Sequence, residues 1–335
     1  MTGPWIQPAL AIAVLLAAGG LAAGCTRFGV VPVTSPGPTA GPSAGSAGAA
    51  GSLALGSGTH RLAITVDGRT RSYLLHLPPT LGTDLRPLIV ELHGGGGTAA
   101  GMERLTRLSS WTDRRGWLVV APDGVERRWN DGRPGVGSGV DDVAFIRALI
   151  DDVAGRTPVD GSRIFATGIS NGAMMSGRLA CDLADRIAAV AQVAGTVGVE
   201  ARAACAPARP LSVLVIAGTA DPLVPYGGGL VGGALGLSRG AVVGAEQYVA
   251  DWLARDGIPP TARTTRSLPP DTTVMEADTD GGPRVAFYAV AGGGHTWPGG
   301  PQYLPRFLVG STTRTFDASQ VIVDFFAGIP ARASG

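Results

Sequence analysis

Lysine is missing altogether: every one of the 27 basic residues is arginine. That excludes Schiff-base chemistry, a phosphate-binding P-loop lysine and a serine–lysine hydrolytic pair. Charge of either sign is sparse, at 16% of residues, and balances to +1. Nothing in it suggests a nucleic-acid or acidic-polymer partner. Three cysteines and four histidines are too few and too scattered for an obvious zinc cluster. The apolar run at residues 9–23 (ALAIAVLLAAGGLAA) is short for a membrane span. What abounds is glycine (52) and proline (25). The chain is 335 residues long with 45% hydrophobic residues, long for one domain, short for two, and rich enough to bury a full core.

The run at 9–23 has the length of a signal-peptide core. It ends in Leu21-Ala22-Ala23-Gly24-Cys25, which resembles a bacterial lipobox. Two features depart from that pattern: no Arg or Lys precedes the run, and Ala22 stands where leucine is usual. The expectation is a signal peptide over 1–24, with Cys25 cleaved free, lipidated and left as the new N-terminus. Residues 25–58 are rich in Gly, Ala, Pro, Ser and Thr and have little to bury, which reads as a flexible tether. The protein is therefore expected outside the cytoplasm, at the cell envelope, touching the membrane only through a lipid at Cys25. In such an oxidising compartment the remaining two cysteines, Cys181 and Cys205, most simply form one disulfide.

From residue 59 to 335 the pattern is that of one folded domain. Two alternating stretches around Asp67-Gly68 signal a hairpin. Short apolar runs at 88–92, 117–121, 163–167, 188–193, 211–217 and 285–290 read as buried strands. Between and after them, 100–115, 141–153, 173–184, 241–255 and 318–327 have helical spacing. Continuous apolar strands alternating with amphipathic helices predict an α/β domain. It has a mainly parallel central sheet covered by helices on both faces, with the leading hairpin as an antiparallel edge.

Gly168-Ile169-Ser170-Asn171-Gly172 matches G-x-S-x-G. A serine on a sharp strand-to-helix turn needs glycine two positions before and after for the chains to pass. The tether holds a second copy, Gly41-Pro42-Ser43-Ala44-Gly45, but with no strand before it or helix after it. Ser170 is thus the candidate nucleophile. Ligands of open α/β sheets bind beyond strand C-termini. His60 and His76 sit in the hairpin, which leaves His93 and His295. The chain order nucleophile, acid, base selects His295; His93, opening a run of four glycines, is read as ordering its loop. Asp221, just past the strand at 211–217, is the candidate acid, ahead of Asp251, Asp256, Asp271, Asp278 and Asp280. Oxyanion donors are expected from the backbone amides of Asn171 and Gly95, with Gly94 and Gly96 as alternatives. Trp297 and Trp129 are candidate platforms for an aromatic acyl or sugar ring, with core or rim packing as the plainer reading. Asp141 and Asp142 are read as capping the helix that follows.

The series HGGGG, APDG, RRWND, VDDVAFIRALI, GISNGAMMS, CDLADRIAAVAQVAG, GTADPLVPY and GGGHTWPGG occurs in one order between about residues 60 and 328. It resembles the poly(3-hydroxybutyrate) depolymerase and feruloyl-esterase-like group of α/β-hydrolases, and is similar to secreted lipoprotein esterases of actinobacteria. The resemblance implies an α/β-hydrolase fold and a serine esterase acting through an acyl-enzyme. It implies Ser170, Asp221 and His295 in the three roles above, a Cys181–Cys205 disulfide, and neither metal nor organic cofactor. Polyester oligomers, feruloylated or acetylated polysaccharide and small synthetic esters are all substrates within that group. An acyltransferase to a cell-envelope acceptor and a non-catalytic binding lipoprotein on the same scaffold are the competing readings. The glycine-rich stretch 226–244 and the irregular stretch 299–315 are expected to flank the site.

Overall fold

The computed structural model describes residues 55–332 apart from 138, 234, 235, 237 and 238. The expected leader over 1–24, Cys25 and the tether up to residue 54 lie outside the described residues. Leu55 packs against the core and the first strand begins at Gly58.

Strands β1 (Gly58–Val66) and β2 (Arg69–Leu77) form the leading hairpin, paired outward from Val66 and Arg69. Asp67 and Gly68 have φ of 50° and 73°, the left-handed pair that a two-residue type I′ turn demands. Next come β3 (Arg86–Leu92), β4 (Leu118–Pro122), β5 (Val159–Ile169), β6 (Ala189–Val193) and β7 (Ser212–Gly218). A separate ribbon pairs β8 (Gly228–Leu230) with β9 (Ala241–Val243). Finally β10 (Arg263–Leu268), β11 (Thr272–Asp278) and β12 (Arg284–Val290) complete a ten-stranded sheet. Its order is β1-β2-β4-β3-β5-β6-β7-β12-β11-β10. Pairing is parallel from β4 through β12 and antiparallel at both margins.

Helices α1 (Ala99–Thr106), α2 (Leu108–Thr112), α3 (Asp142–Ala154), α4 (Asn171–Asp182), α5 (Val199–Ala203), α6 (Ala245–Arg255), α7 (Arg306–Val309) and α8 (Ala318–Ala327) connect the strands. Alternation along β3 sends Leu88, Val90 and Leu92 into a core shared with α3, α4 and α6. Ile89 points to the other face, into a core shared with α1, α2 and α8. The central strands are apolar on both faces because both faces are covered. The disulfide Cys181–Cys205 ties the end of α4 to the segment just after α5.

The structure differs from the sequence pattern in several places, one being the helix expected over 241–255, which begins only at Ala245 because Ala241–Val243 pairs with Gly228–Leu230 as β9. The helix expected over 100–115 breaks at Arg107, which has φ 52°. Beside the break the Thr106 hydroxyl accepts from the Leu108 N–H and contacts buried Glu91 at 2.6 Å and the Met102 carbonyl at 3.2 Å, a side-chain alternative to the helical ladder. The β10–β11 hairpin is an addition, because β10 is almost wholly exposed and an exposed strand carries no apolar alternation to read. Asp141 caps α3 by accepting from the Ala144 N–H. Asp142, expected to share that task, turns inward to Arg71 at 2.5 Å and accepts from the Asn130 N–H at 2.7 Å.

Candidate active site

Ser170 stands between β5 and α4 with φ 58° and ψ −122°, a strained conformation for a residue with a side chain. The reason for the flanking glycines is visible in the packing. A Cβ on Gly168 would lie 2.6 Å from the Leu92 carbonyl oxygen, and one on Gly172 only 2.2 Å from the same atom. β5, the turn and α4 are thus pressed against the end of β3. The turn places Asn171 at the first position of α4, where helix geometry leaves a backbone N–H without an intrahelical partner.

Behind this turn, the Asn171 side chain is locked. It accepts from the Trp129 N–H at 2.8 Å and donates to the Trp129 carbonyl and to Asp131 at 3.0 and 2.7 Å. Asp131 in turn holds Arg133 through both carboxylate oxygens, and both side chains are buried.

The loop after β3 carries His93 and the glycine run. Gly124 N–H donates to His93 Nε2 at 3.0 Å, so the proton sits on Nδ1, which donates to the Gly94 carbonyl at 2.8 Å. Burial pulls the His93 pKa below the usual imidazole value, with the Gly94 contact opposing. Both ring nitrogens thus hold loop backbone. The amides of Gly96 and Gly97 donate to the Arg127 and Gly94 carbonyls. Gly95 lines the cavity described below, beside Asn171, whose Cβ would be 3.8 Å from a Cβ on Gly95.

At the C-termini of β7 and β12 two loops touch. A Cβ on Gly218 would strike the Gly293 carbonyl oxygen at 2.3 Å, so the loops carrying Asp221 and His295 meet backbone to backbone. His295 Nδ1 lies 2.7 Å from Asp221 Oδ2, with both side chains buried. The other Asp221 oxygen accepts from the Leu223 and Val224 N–H groups, each at 2.8 Å. The carboxylate is therefore held from two sides, and it fixes the imidazole with Nδ1 protonated and a lone pair on Nε2.

Ser170, Asn171, Gly94, Gly95, His93 and His295 line one cavity of about 330 Å³. The rest of its wall is mostly apolar, from Met102 and Leu105 on α1, Ile169, Leu223, Val231 and Leu304. His60 and His76 lie on β1 and β2. The two tryptophans are a correction. Trp129 and Trp297 are fully enclosed and present no face to the cavity. Trp129 donates its indole N–H to the His93 carbonyl at 2.8 Å and packs on the His93 ring, while Trp297 donates to Ser319 within the core. Each supports a site loop from behind. The sequence reading missed Arg133, Arg239, Tyr303 and the α1 residues as wall. Only the expectation that 226–244 and 299–315 flank the site pointed toward them: the first supplies Val231, Gly232 and Arg239, the second Tyr303 and Leu304.

The chain is similar to several known proteins. A family model described as Esterase PHB depolymerase matches residues 71–225. A candidate esterase named NocK, from Nocardia uniformis subsp. tsuyamanensis, is 35% identical over 284 residues, covering 79% of this chain and 81% of its own. Feruloyl esterase B of Piromyces equi is 31% identical over 220 residues; that match takes in 64% of this chain and 40% of the fungal protein. Among solved structures, the acetyl xylan esterase from Aspergillus awamori superposes with a TM-score of 0.53 at 15% identity, over 72% of this chain and 94% of that one, a likeness of fold. A serine on a glycine-flanked turn, a mostly parallel sheet with helices on both faces, and a relative matched along most of both sequences lead to one assignment: the chain belongs to the esterase PHB depolymerase family, as a serine-type carboxylic ester hydrolase with the α/β-hydrolase fold.

Proposed function

We propose that this chain is an exported esterase in which Ser170 is the nucleophile, His295 the general base and Asp221 the acid that orients it. The observation that carries the reading is the 2.7 Å contact between His295 and Asp221 at the wall of the cavity that Ser170 also lines. His295 Nε2 takes the proton of Ser170 Oγ as the hydroxyl attacks the ester carbonyl, and Asp221 stabilises the imidazolium that forms. The backbone amides of Asn171 and Gly95 receive the developing oxyanion. Gly95 is preferred over Gly96 because the Gly96 amide already donates to Arg127. His295 then protonates the leaving alcohol, and water resolves the acyl-enzyme by the same route in reverse.

The substrates are esters with an apolar or aromatic acyl part: hydroxybutyrate-type oligomers, or feruloyl and acetyl groups on polysaccharide. Support comes from the apolar wall of the cavity and from a relative named as a feruloyl esterase. Residues 59–335 act as the catalytic domain, delivered by the signal peptide 1–24 and held at the envelope by a lipid on Cys25 and the tether 25–58. The Cys181–Cys205 bond supports an oxidising compartment.

Ser170→Ala is expected to abolish turnover of p-nitrophenyl acetate and labelling by a fluorophosphonate probe. A variant cleaving at near the parent rate would overturn the assignment. Rates on methyl ferulate, acetylated xylan and hydroxybutyrate oligomers rank the substrates. Cys25→Ser is expected to move the protein from the membrane fraction into the medium or soluble fraction.

A further inference from the structure

The cavity wall contains two arginines and, among the described residues, no carboxylate. The two differ. Arg133 is buried and paired with Asp131, and its remaining Nη1 donates to the Arg239 carbonyl at 2.6 Å. Its charge is cancelled and its role is to hold. Arg239 is exposed. Every Asp and Glu of the chain lies among the described residues, and none forms an ion pair with it.

The Arg239 backbone is nonetheless pinned. Its N–H donates to the Val231 carbonyl at 3.2 Å, the Val231 N–H donates to the Gly240 carbonyl at 3.0 Å, and Arg133 holds its own carbonyl. Through Arg133, Asp131 and Asn171, it is connected by hydrogen bonds to the residue after Ser170. Among the described residues, therefore, a guanidinium without an ion-pair partner hangs from a wall that includes the apolar side chains of Leu223, Val231 and Leu304. At an exposed position water and salt limit the strength of a charge pair, so the selectivity comes from geometry: the planar fork of arginine matches a carboxylate through two parallel hydrogen bonds.

We propose that Arg239 recognises a carboxylate carried by the ester substrate itself, so that the enzyme prefers half-esters and carboxylate-ended hydroxyacid oligomers over neutral esters of equal length. This rests on the cavity being the catalytic site proposed above.

The test compares p-nitrophenyl butyrate with p-nitrophenyl hemisuccinate, and ethyl butyrate with the butyryl ester of glycolate, which moves the charge to the alcohol side. Arg239→Gln is expected to lower kcat/KM about tenfold for at least one of the charged esters, in line with the weight of a charge-assisted hydrogen bond. Both neutral esters should lose several-fold less than that charged ester. Raising salt should erode the preference of the parent enzyme and leave the variant unmoved. Arg239→Glu should reverse the preference, toward butyrylcholine. Equal losses on charged and neutral esters, or no loss on any, would overturn the inference. So would a loss confined to a phosphonate-bearing ester. If neutral esters are hydrolysed in a Ser170-dependent way while Arg239→Gln does not discriminate charge, only this inference fails. Hydrolysis that survives Ser170→Ala sinks the underlying site.

Discussion

A single methyl group at position 172 would sit 2.2 Å from the carbonyl oxygen of Leu92 and 2.6 Å from that of His93, so the turn under Ser170 tolerates no side chain there. Gly172→Ala is expected to destabilise the protein by about 1–3 kcal/mol, as overpacking does. It should also cut esterase activity more than it cuts stability, because the backbone that must shift carries Ser170. Paired urea titrations and p-nitrophenyl acetate assays check both. Asp221→Asn keeps an oxygen for the Leu223 and Val224 amides but loses the charge that holds His295. The expected loss in kcat is roughly 10³-fold or more with little change in KM. Glu91 is a buried carboxyl outside the proposed chemistry. Loss of hydration, added to by nearby Glu103, raises its pKa from 4.5 to about 8, with the Thr106 hydroxyl opposing. The native state therefore binds this proton more tightly than the unfolded chain does. The associated stability is complete below about pH 4.5 and is lost as pH rises toward 8. Glu91→Gln should flatten that decline, as read from urea midpoints at pH 5 and pH 8.

At the scale of elements, the segment 129–133 between β4 and α3 holds the Ser170–Asn171 turn through the Asn171 side chain. Asn130 N–H donates to Asp142, Asp142 holds Arg71, and the Arg71 guanidinium lies 3.6 Å from the centre of the Phe145 ring. Removing one partner of a buried ion pair leaves the other charge uncompensated. Asp142→Ala should therefore cost about 3–5 kcal/mol, measurable by chemical denaturation. It should also slow catalysis, since segment 129–133 buttresses Asn171. None of this was legible from RRWND as a string. Residue type marks Trp129 as a ring able to stack on a ligand, but which side of a loop it faces depends on what packs behind the loop. The break at Arg107 was hidden for a related reason: Thr106, the last residue of α1, donates its hydroxyl to Glu91, which lies on β3 and is distant in sequence. By contrast the hairpin turn at Asp67-Gly68 and the Asp141 cap were readable, because each involves residues within four positions of one another.

For the molecule as a whole, the Cys181–Cys205 bond closes a loop across a separation of 24 residues. In the chain-entropy view this stabilises by roughly 3 kcal/mol. Replacing both cysteines with serine should lower the urea midpoint by a corresponding amount and leave kcat near the parent value, since the bridge lies outside the cavity wall. The α/β class, the parallel centre of the sheet and the glycine-flanked serine were determined by the sequence alone. Apolar periodicity reports whether a strand is covered on one face or two, and sterics at a tight turn act over a few residues. The cavity was decided only by tertiary structure. Its walls include residues of α1, Val231, Gly232 and Arg239, and Tyr303 and Leu304, far apart in the chain with no shared pattern. An empty space is shaped by what surrounds it, and no local stretch of residues encodes which distant loops will stand on its other side.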